Sequence, residues 1–169
     1  MPVDDPQEQF IQVDEEDNEI GPVTREQAHA DNSILHRAVY ILVRNGHQDL
    51  LFQKRSRQKD LYSGYWAVGA AGHVSYRDTY RKTAARELEE ELGLTGQLFY
   101  VTTLMVKAEQ ESEMVKIFIL RQDELPVNYS KDEVDEVRWV PMDAMQQFVD
   151  DHELPPADRE VLKLLMYIK

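Results

Sequence analysis

The chain has 169 residues and a formal net charge of −13, and its length favours one domain with a sizeable buried core. The acidic balance argues against binding to a nucleic-acid polymer or to an anionic membrane, because both require clustered lysine and arginine. The absence of cysteine excludes disulfides, thiol nucleophiles and thiolate metal sites. Because the chain has no cysteine and no apolar run long enough to cross a bilayer, we expect a cytoplasmic protein with no membrane association.

In chain order, residues 1–8 are polar and expected to be flexible, and residues 9–169 are expected to form a single domain. A capping-box pattern from Thr24 to Gln27 predicts a short helix that ends near His29, and Gly21-Pro22 before it predicts a turn. Residues 64–68 lead into a glycine-containing loop that precedes the helix predicted over residues 79–92. Strands are predicted over residues 10–13, 36–44, 50–54, 97–104, 114–120 and 134–140, and further helices over residues 141–149 and 157–168. Strands that alternate with helices in this way predict an α/β fold with a mixed sheet between helical layers.

The most informative segment covers residues 72–94, which contain the pattern Gly72-x5-Asp78-x7-Arg86-Glu87-Leu88-x-Glu90-Glu91-x-Gly93-Leu94. On a helix, Glu87 lies one turn from both Glu90 and Glu91, so three carboxylates share one face. Like charges at this spacing repel by a few tenths of a kcal/mol per pair, roughly, and a hard cation such as Mg²⁺ would relieve that repulsion. The core-facing stripe on the opposite side of the helix is expected to consist of Ala85, Leu88 and Leu92.

This segment resembles the Nudix box, G-x5-E-x7-R-E-U-x-E-E-x-G-U, in which U is an aliphatic residue. The one departure is Asp78, whose side chain is shorter than the glutamate usual in the family. The resemblance implies the Nudix α/β/α sandwich and a hydrolase that cleaves a small-molecule diphosphate with Mg²⁺ or Mn²⁺. It assigns metal binding and catalysis to Glu87, Glu90 and Glu91, and it assigns Arg86 to orienting these glutamates.

Outside the box, the chain is similar to the isopentenyl-diphosphate isomerase branch of the superfamily, in the stretches HADNSILHRAVYILV, LLFQKRSRQKDLYSGYW, AGHV and ESEMVKIFIL. In that branch, three histidines and two glutamates hold one divalent metal, and basic residues bind the diphosphate. The similarity implies a metal set of His29, His36, His73, Glu111 and Glu113. It also implies diphosphate binding by Arg25, Arg55 and Lys59.

Two departures from the isomerase branch favour hydrolysis. Ala71 stands at the position of the isomerase cysteine, and a methyl group cannot exchange a proton. The segment around Leu104 and Met105 also lacks the phenol that assists the isomerase. The predicted activity is therefore hydrolysis of a nucleoside-diphosphate-linked or prenyl diphosphate. Two alternatives remain, an isomerase-like protein and a domain that binds a diphosphate without catalysis.

The general base and the wall of the substrate pocket are left open by the sequence. The base in Nudix enzymes comes either from the box helix or from a later loop, and the later candidates here are Glu111, Glu113, Glu133 and Asp135. Aromatic residues before the box are candidates for the pocket wall or for the core, namely Tyr62, Tyr65 and Trp66.

Overall fold

The computed structural model describes residues 4–108 and 110–167, without the Tyr167 side chain. The strands are β1 (Gln9–Val13), β2 (Glu19–Thr24), β3 (His36–Arg44), β4 (Leu50–Arg55), β5 (Trp66–Val68), β6 (Ala70–His73), β7 (Phe99–Lys107), β8 (Ser112–Arg121) and β9 (Val134–Val140). The helices are α1 (Arg25–Ala30), α2 (Tyr80–Leu92), α3 (Met145–Asp151) and α4 (Pro156–Tyr167), with a 3-10 turn at Met142–Ala144 before α3. The flexibility predicted for residues 1–3 and the helical end predicted at residue 168 lie outside the described residues.

Strand β3 is the centre of one curled, mixed sheet. It pairs in parallel with β8 and antiparallel with β1, β4 and β6. Strand β4 continues the sheet through β5 and β9, whereas β2 and β7 pair only with β1 and β8, respectively. The predicted α/β fold with a mixed sheet is therefore confirmed, and the strand predicted over residues 36–44 has the observed bounds of β3.

Helices cover both faces of the sheet because the side chains of β3 alternate between them. One face packs against α2 through a core that includes Val39, Ile41, Val43, Leu88 and Leu92. The other face packs against α3 and α4 through a core that includes Tyr40, Leu42, Phe148, Val161 and Leu162. This three-layer arrangement is the predicted sandwich. Within the described part of the chain, no helix is long and apolar enough to cross a membrane.

The structure corrects two loop predictions. Gly21-Pro22 lies within β2 and does not form a turn. Proline has no backbone N–H, and an edge strand accommodates it because no second neighbouring strand needs a donor at that position. The loop predicted before α2 contains β6, whose alanines and glycine have low strand propensity. Its pairing with β3, where Tyr40 lies opposite Ala71, decides its conformation, since pairing outweighs intrinsic β-propensity.

The predicted core-facing side of α2 is also partly wrong. Ala85 is exposed, whereas Ala84 is buried with Leu88 and Leu92. These three residues are spaced by four, which keeps them on one face of the helix. The helix begins after Thr79, whose hydroxyl caps it, and it ends at Gly93, which has a left-handed φ of 64°. Glycine adopts this conformation without the steric penalty of a Cβ atom.

Asp17 connects the turn between β1 and β2 to the sheet and to α2. Its carboxylate accepts hydrogen bonds from Arg37 at 2.7 Å and from the Tyr80 hydroxyl at 2.9 Å. Asp17→Asn keeps the side-chain shape and tolerates the left-handed backbone at this position, but it removes the charge that faces Arg37. We expect the free energy of unfolding in urea to fall by about 1–2 kcal/mol, whereas the exposed neighbour change Glu16→Gln should alter it by less than about 0.5 kcal/mol. Equal stability of the two variants would contradict this role.

Candidate active site

A cleft of about 480 Å³ opens beside the sheet, where the chain brings together segments that are distant in sequence. Its walls come from residues 4–8, α1, the ends of β3, β4 and β6, the glutamate face of α2, and the start of α4. Most of the predicted site residues line it, namely Arg25, Arg55, Lys59, His73, Glu87, Glu90, Glu91, Glu111 and Glu113. The other three predicted residues, His29, His36 and Arg86, contact members of this set from outside the lining.

The glutamates of α2 differ in their exposure to solvent. The Glu90 side chain is 58% exposed and that of Glu87 is 15% exposed. Burial raises the pKa of Glu87 to about 8, with Glu91 as the next cause, and burial raises the pKa of Glu91 to about 7. Crowded, desolvated carboxylates resist ionisation unless a positive charge is nearby. This side of the cleft is therefore suited to a divalent cation.

Two side chains hold these carboxylates in position. Arg86 Nη1 lies 3.1 Å from Glu87 Oε1 and 3.5 Å from Glu90 Oε2. Gln53 Nε2 donates a hydrogen bond to Glu91 Oε2. The sequence analysis missed Gln53, although a single amide within the apolar strand LLFQ was a signal that this position faces polar groups.

Gly72 allows the Glu87 side chain to lie directly against the backbone of β6. A Cβ atom at position 72 would lie 2.6 Å from Glu87 Cγ, which is closer than van der Waals contact permits. Close packing against Glu87 therefore explains the glycine that opens the box. Backbone conformation does not explain it, because the φ of Gly72 is not in the left-handed region.

The sheet register assembles the histidine and glutamate cluster. His36 on β3 lies opposite Glu113 on the parallel strand β8, and His73 on β6 lies opposite Ala38 on β3. Helix α1 brings His29 to the same place, so that ligand atoms of His29, His36 and His73 all lie within 4.8 Å of one another. Glu113 Oε1 is 3.1 Å from His73 Nε2 and 3.9 Å from His36 Nε2. Four of the five residues predicted for this metal set are therefore neighbours. The fifth, Glu111, lies two residues before Glu113 in the sequence.

Phe10 forms an apolar wall against two of these imidazole rings. Its ring is stacked on His73 at a centroid distance of 4.3 Å and on His36 at 5.3 Å. Burial lowers the pKa of His36 to about 4, with the neighbouring His73 as the next cause, and burial also lowers the pKa of His73. The rings are consequently neutral at pH 7, which is the form that binds a metal.

The hydrogen bonds of this cluster are incomplete in a way that fits a cation. His36 Nδ1 lies 3.4 Å from the Ile34 carbonyl oxygen, an arrangement that directs the Nε2 lone pair toward the cluster. Of the buried side-chain atoms without a hydrogen-bond partner among the described residues, three belong to this cluster, namely His29 Nε2, His36 Nε2 and Glu111 Oε2. Buried polar atoms are rarely left unpaired, and a divalent ion would accept electron pairs from all three.

The predicted diphosphate-binding cations also line the cleft, and acidic side chains contact two of them. Asp4 Oδ1 lies 3.4 Å from both Arg25 Nη2 and Lys59 Nζ. Glu133 accepts a hydrogen bond from Lys59 at 2.8 Å. Arg55 is held by the Leu61 carbonyl oxygen, at 3.1 and 3.3 Å.

The cleft is also lined by residues that the sequence analysis did not single out, among them Asp158. Asp158, in the first turn of α4, accepts hydrogen bonds from the Tyr40 hydroxyl at 2.9 Å and from the Val68 backbone N–H at 2.6 Å. Burial raises the pKa of Asp158 to about 7. The sequence around Asp158 reads as an ordinary helix start after two prolines, so it gave no signal of a cleft residue.

The structure also separates the candidates that the sequence left open. Glu133 lines the cleft together with Glu111 and Glu113, whereas Asp135 is exposed and is not part of the lining. The three aromatic candidates separate similarly. Tyr62 lines the cleft. Tyr65 hydrogen-bonds with Glu153, and Trp66 is buried against Phe148 in the core.

Comparison with known proteins identifies the family. A NUDIX domain model matches residues 34–165. The chain belongs to this family. It is 31% identical over 159 residues to the uncharacterized Nudix hydrolase YfcD of Salmonella typhi, a match that covers 94% of this chain and 85% of the relative. It is 33% identical over 139 residues to isopentenyl-diphosphate Delta-isomerase 1 of Aromatoleum aromaticum, covering 79% of this chain and 77% of that protein.

A solved structure shows the same fold. The crystal structure of DR0079 from Deinococcus radiodurans matches this NUDIX domain with a TM-score of 0.76 and 22% identity, over 95% of this chain and 99% of that one. The predicted Nudix membership and the likeness to the isomerase branch are both confirmed. The family includes hydrolases of diphosphate bonds, and the named relatives include isomerases as well.

Proposed function

We propose that this NUDIX domain is a metal-dependent hydrolase that cleaves the diphosphate bond of a nucleoside-diphosphate-linked or prenyl diphosphate. The observation that carries the proposal is the composition of one cleft, in which three box glutamates lie with three cations. The glutamates can bind divalent metal ions, and the basic side chains can bind phosphate oxygens. A diphosphate between them would contact both sets, which is what this reaction requires.

The residues in and beside the cleft have different roles in the proposed hydrolysis. Glu87, Glu90 and Glu91 would hold Mg²⁺ or Mn²⁺, while Arg86 and Gln53 keep the carboxylates oriented. When bound, the metal neutralises charge on the phosphate oxygens. Basic residues would bind and orient the diphosphate, namely Arg25, Arg55 and Lys59.

Hydrolysis then needs a group that accepts a proton from water. Water forms a new bond to one phosphorus atom, the bond from that phosphorus to the bridging oxygen breaks, and two phosphate-bearing products leave. The carboxylates placed to accept the proton are those that line the cleft. On α2 the candidate is Glu87, and elsewhere the candidates are Glu111, Glu113 and Glu133.

We also propose that the histidine and glutamate cluster holds one divalent ion. Its ligands would be His29, His36, His73, Glu111 and Glu113. The proposal is supported by the three unpartnered buried atoms and by the neutral state of the imidazoles. A mixed set of imidazole and carboxylate ligands suits Mn²⁺, Zn²⁺ or Mg²⁺.

Isomerisation is the second candidate, because relatives named as isopentenyl-diphosphate isomerases match most of the chain. Ala71 lines the cleft, and its methyl group cannot donate or accept the proton that isomerisation needs. Phenols are present in the cleft at Tyr40 and Tyr62, but the side chain at position 71 remains inert. Conversion of isopentenyl to dimethylallyl diphosphate by the purified protein would reverse this preference.

Removal of metal should abolish the proposed activity. We expect phosphate-bearing products from at least one member of a panel of nucleotide sugars, dinucleotides, oxidised nucleotides and prenyl diphosphates in the presence of Mg²⁺ or Mn²⁺. Dialysis against a chelator should lower the rate by about 100-fold or more, and returning the metal should restore it. Product formation is measured by chromatography. Tight binding of a panel member without turnover would instead indicate a non-catalytic diphosphate-binding domain.

A further inference from the structure

Asp158 is a buried carboxyl group of the cleft that neither the box nor the histidine cluster uses. Asp158 is only 2% exposed, yet it lines the cleft together with Ala38, Ala67 and Ala71. The three alanines have short side chains, so they leave room beside the carboxyl group. Arg55, one of the proposed diphosphate-binding residues, is close enough to Asp158 to oppose the effect of burial on the pKa of its carboxyl group. The organic group next to a bound diphosphate would therefore lie within reach of Asp158.

The hydrogen bonds of Asp158 are only partly filled by the protein. Oδ2 accepts from the Tyr40 hydroxyl and Oδ1 accepts from the Val68 N–H. Above the pKa of about 7 to which burial raises Asp158, the ionised carboxylate has about four acceptor positions, so two remain for a group within the cleft. An O–H or N–H donor can fill them. A hydrocarbon cannot, and it would displace water without replacing the lost hydrogen bonds.

We propose that Asp158 determines substrate specificity by selecting diphosphates whose organic group carries a hydrogen-bond donor, as nucleosides and sugars do, over branched hydrocarbons. This inference rests on the proposed diphosphate hydrolysis and narrows its substrate class. The donor could belong to a nucleobase, a ribose or a hexose, because all of them present O–H or N–H groups. Prenyl diphosphates are disfavoured because their hydrocarbon offers no donor to the two remaining acceptor positions of the carboxylate.

The proposal predicts a ratio of specificity constants. For the wild-type enzyme with Mg²⁺ or Mn²⁺, we expect kcat/KM for ADP-ribose or UDP-glucose to exceed that for dimethylallyl diphosphate by roughly 100-fold or more. ADP-ribose and UDP-glucose distinguish a purine nucleoside with ribose from a pyrimidine nucleoside with hexose. A wild-type preference for dimethylallyl diphosphate, or equal rates for all three compounds, overturns the proposal without any variant.

Variants then connect the preference to this carboxylate. In Asp158→Leu, we expect the ratio to fall by about 10-fold or more, because an apolar side chain of similar length accepts hydrocarbon. Asp158→Asn preserves size and one acceptor oxygen, and it should narrow the ratio by a smaller factor. The control Asp143→Asn changes an exposed aspartate and should leave the ratio as in the wild type. Thermal unfolding identifies the variants that fold.

The ratio distinguishes selection from a structural role for Asp158. Damage to the fold lowers the rates for polar and prenyl diphosphates together, so it leaves the ratio unchanged. A ratio that stays at the wild-type value in the folded Asp158 variants therefore overturns the inference while the proposed hydrolysis stands. Absence of turnover with every diphosphate in the wild type overturns the proposed function and, with it, this inference.

Discussion

Glu91→Gln is expected to lower kcat for diphosphate hydrolysis by roughly 10²–10³-fold. Glu91 lies within the cleft, and Gln53 donates a hydrogen bond to it. Glutamine has nearly the same shape, but its neutral amide cannot supply the negative charge that a divalent cation needs. The expected loss therefore comes from weakened metal binding at the reacting diphosphate. It is measured as steady-state kinetics over a range of Mg²⁺ or Mn²⁺ concentrations, with the substrate that the panel identifies.

The same helix offers a matched control for this change. Glu89 is exposed on α2, and Glu89→Gln makes the same chemical substitution two residues away. We expect Glu89→Gln to retain activity within about 3-fold of the wild type, because exposed surface changes have small effects. Circular dichroism and thermal unfolding establish that both variants fold. If Glu91→Gln were as active as Glu89→Gln, the assignment of the metal to this face of α2 would be wrong.

Glu113→Gln is expected to remove one bound divalent ion, with a loss of affinity of about 100-fold or more. Glu113 is buried, and its Oε1 lies 3.1 Å from His73 Nε2. Substitutions that only support metal ligands already lower affinity by about 10–100-fold, and loss of a charged ligand should exceed that. The measurement is equilibrium dialysis against Mn²⁺ or Zn²⁺ followed by elemental analysis of the protein.

Two comparisons make this result specific to the histidine cluster. Glu124→Gln changes an exposed glutamate and should leave the number of bound ions unchanged. Glu91→Gln should lose metal at α2 but keep the ion held by the imidazoles. Unchanged stoichiometry and affinity in Glu113→Gln would show that the cluster does not hold a metal, and that its unpartnered atoms have another explanation.

The sequence predicted α2 within one residue of its observed bounds, and it predicted that Glu87, Glu90 and Glu91 share one face of the helix, because both features depend on local spacing. The strand β3 was also predicted with the correct bounds, since its run of β-branched and aromatic residues ends at an Asn-Gly turn. Strand β6 was missed because its short Ala-Ala-Gly-His sequence becomes a strand only when β3 pairs with it. Local composition carries no information about such a partner.

The cleft shows the same division between local and long-range information. The resemblance to the isomerase branch pointed to His36 and Glu113, and the sheet register places them on adjacent strands. Asp158 is separated by 90 residues from the Val68 N–H that it accepts from. Only the packing of α4 on the sheet brings them together, so no pattern along the chain could indicate this contact.

The ion pairs of Asp4 have a consequence for how the cleft distinguishes anions. Arg25 and Lys59 are already close to this carboxylate, so a diphosphate that binds them replaces existing ion pairs. The gain in free energy is a difference between two sets of contacts, and desolvation reduces it further. A small anion that only matches the charge of Asp4 gains little. An anion gains more if it has several oxygens and can contact both cations and a metal ion at once. We therefore expect the shape of an anion to affect its binding in the cleft more than its charge does.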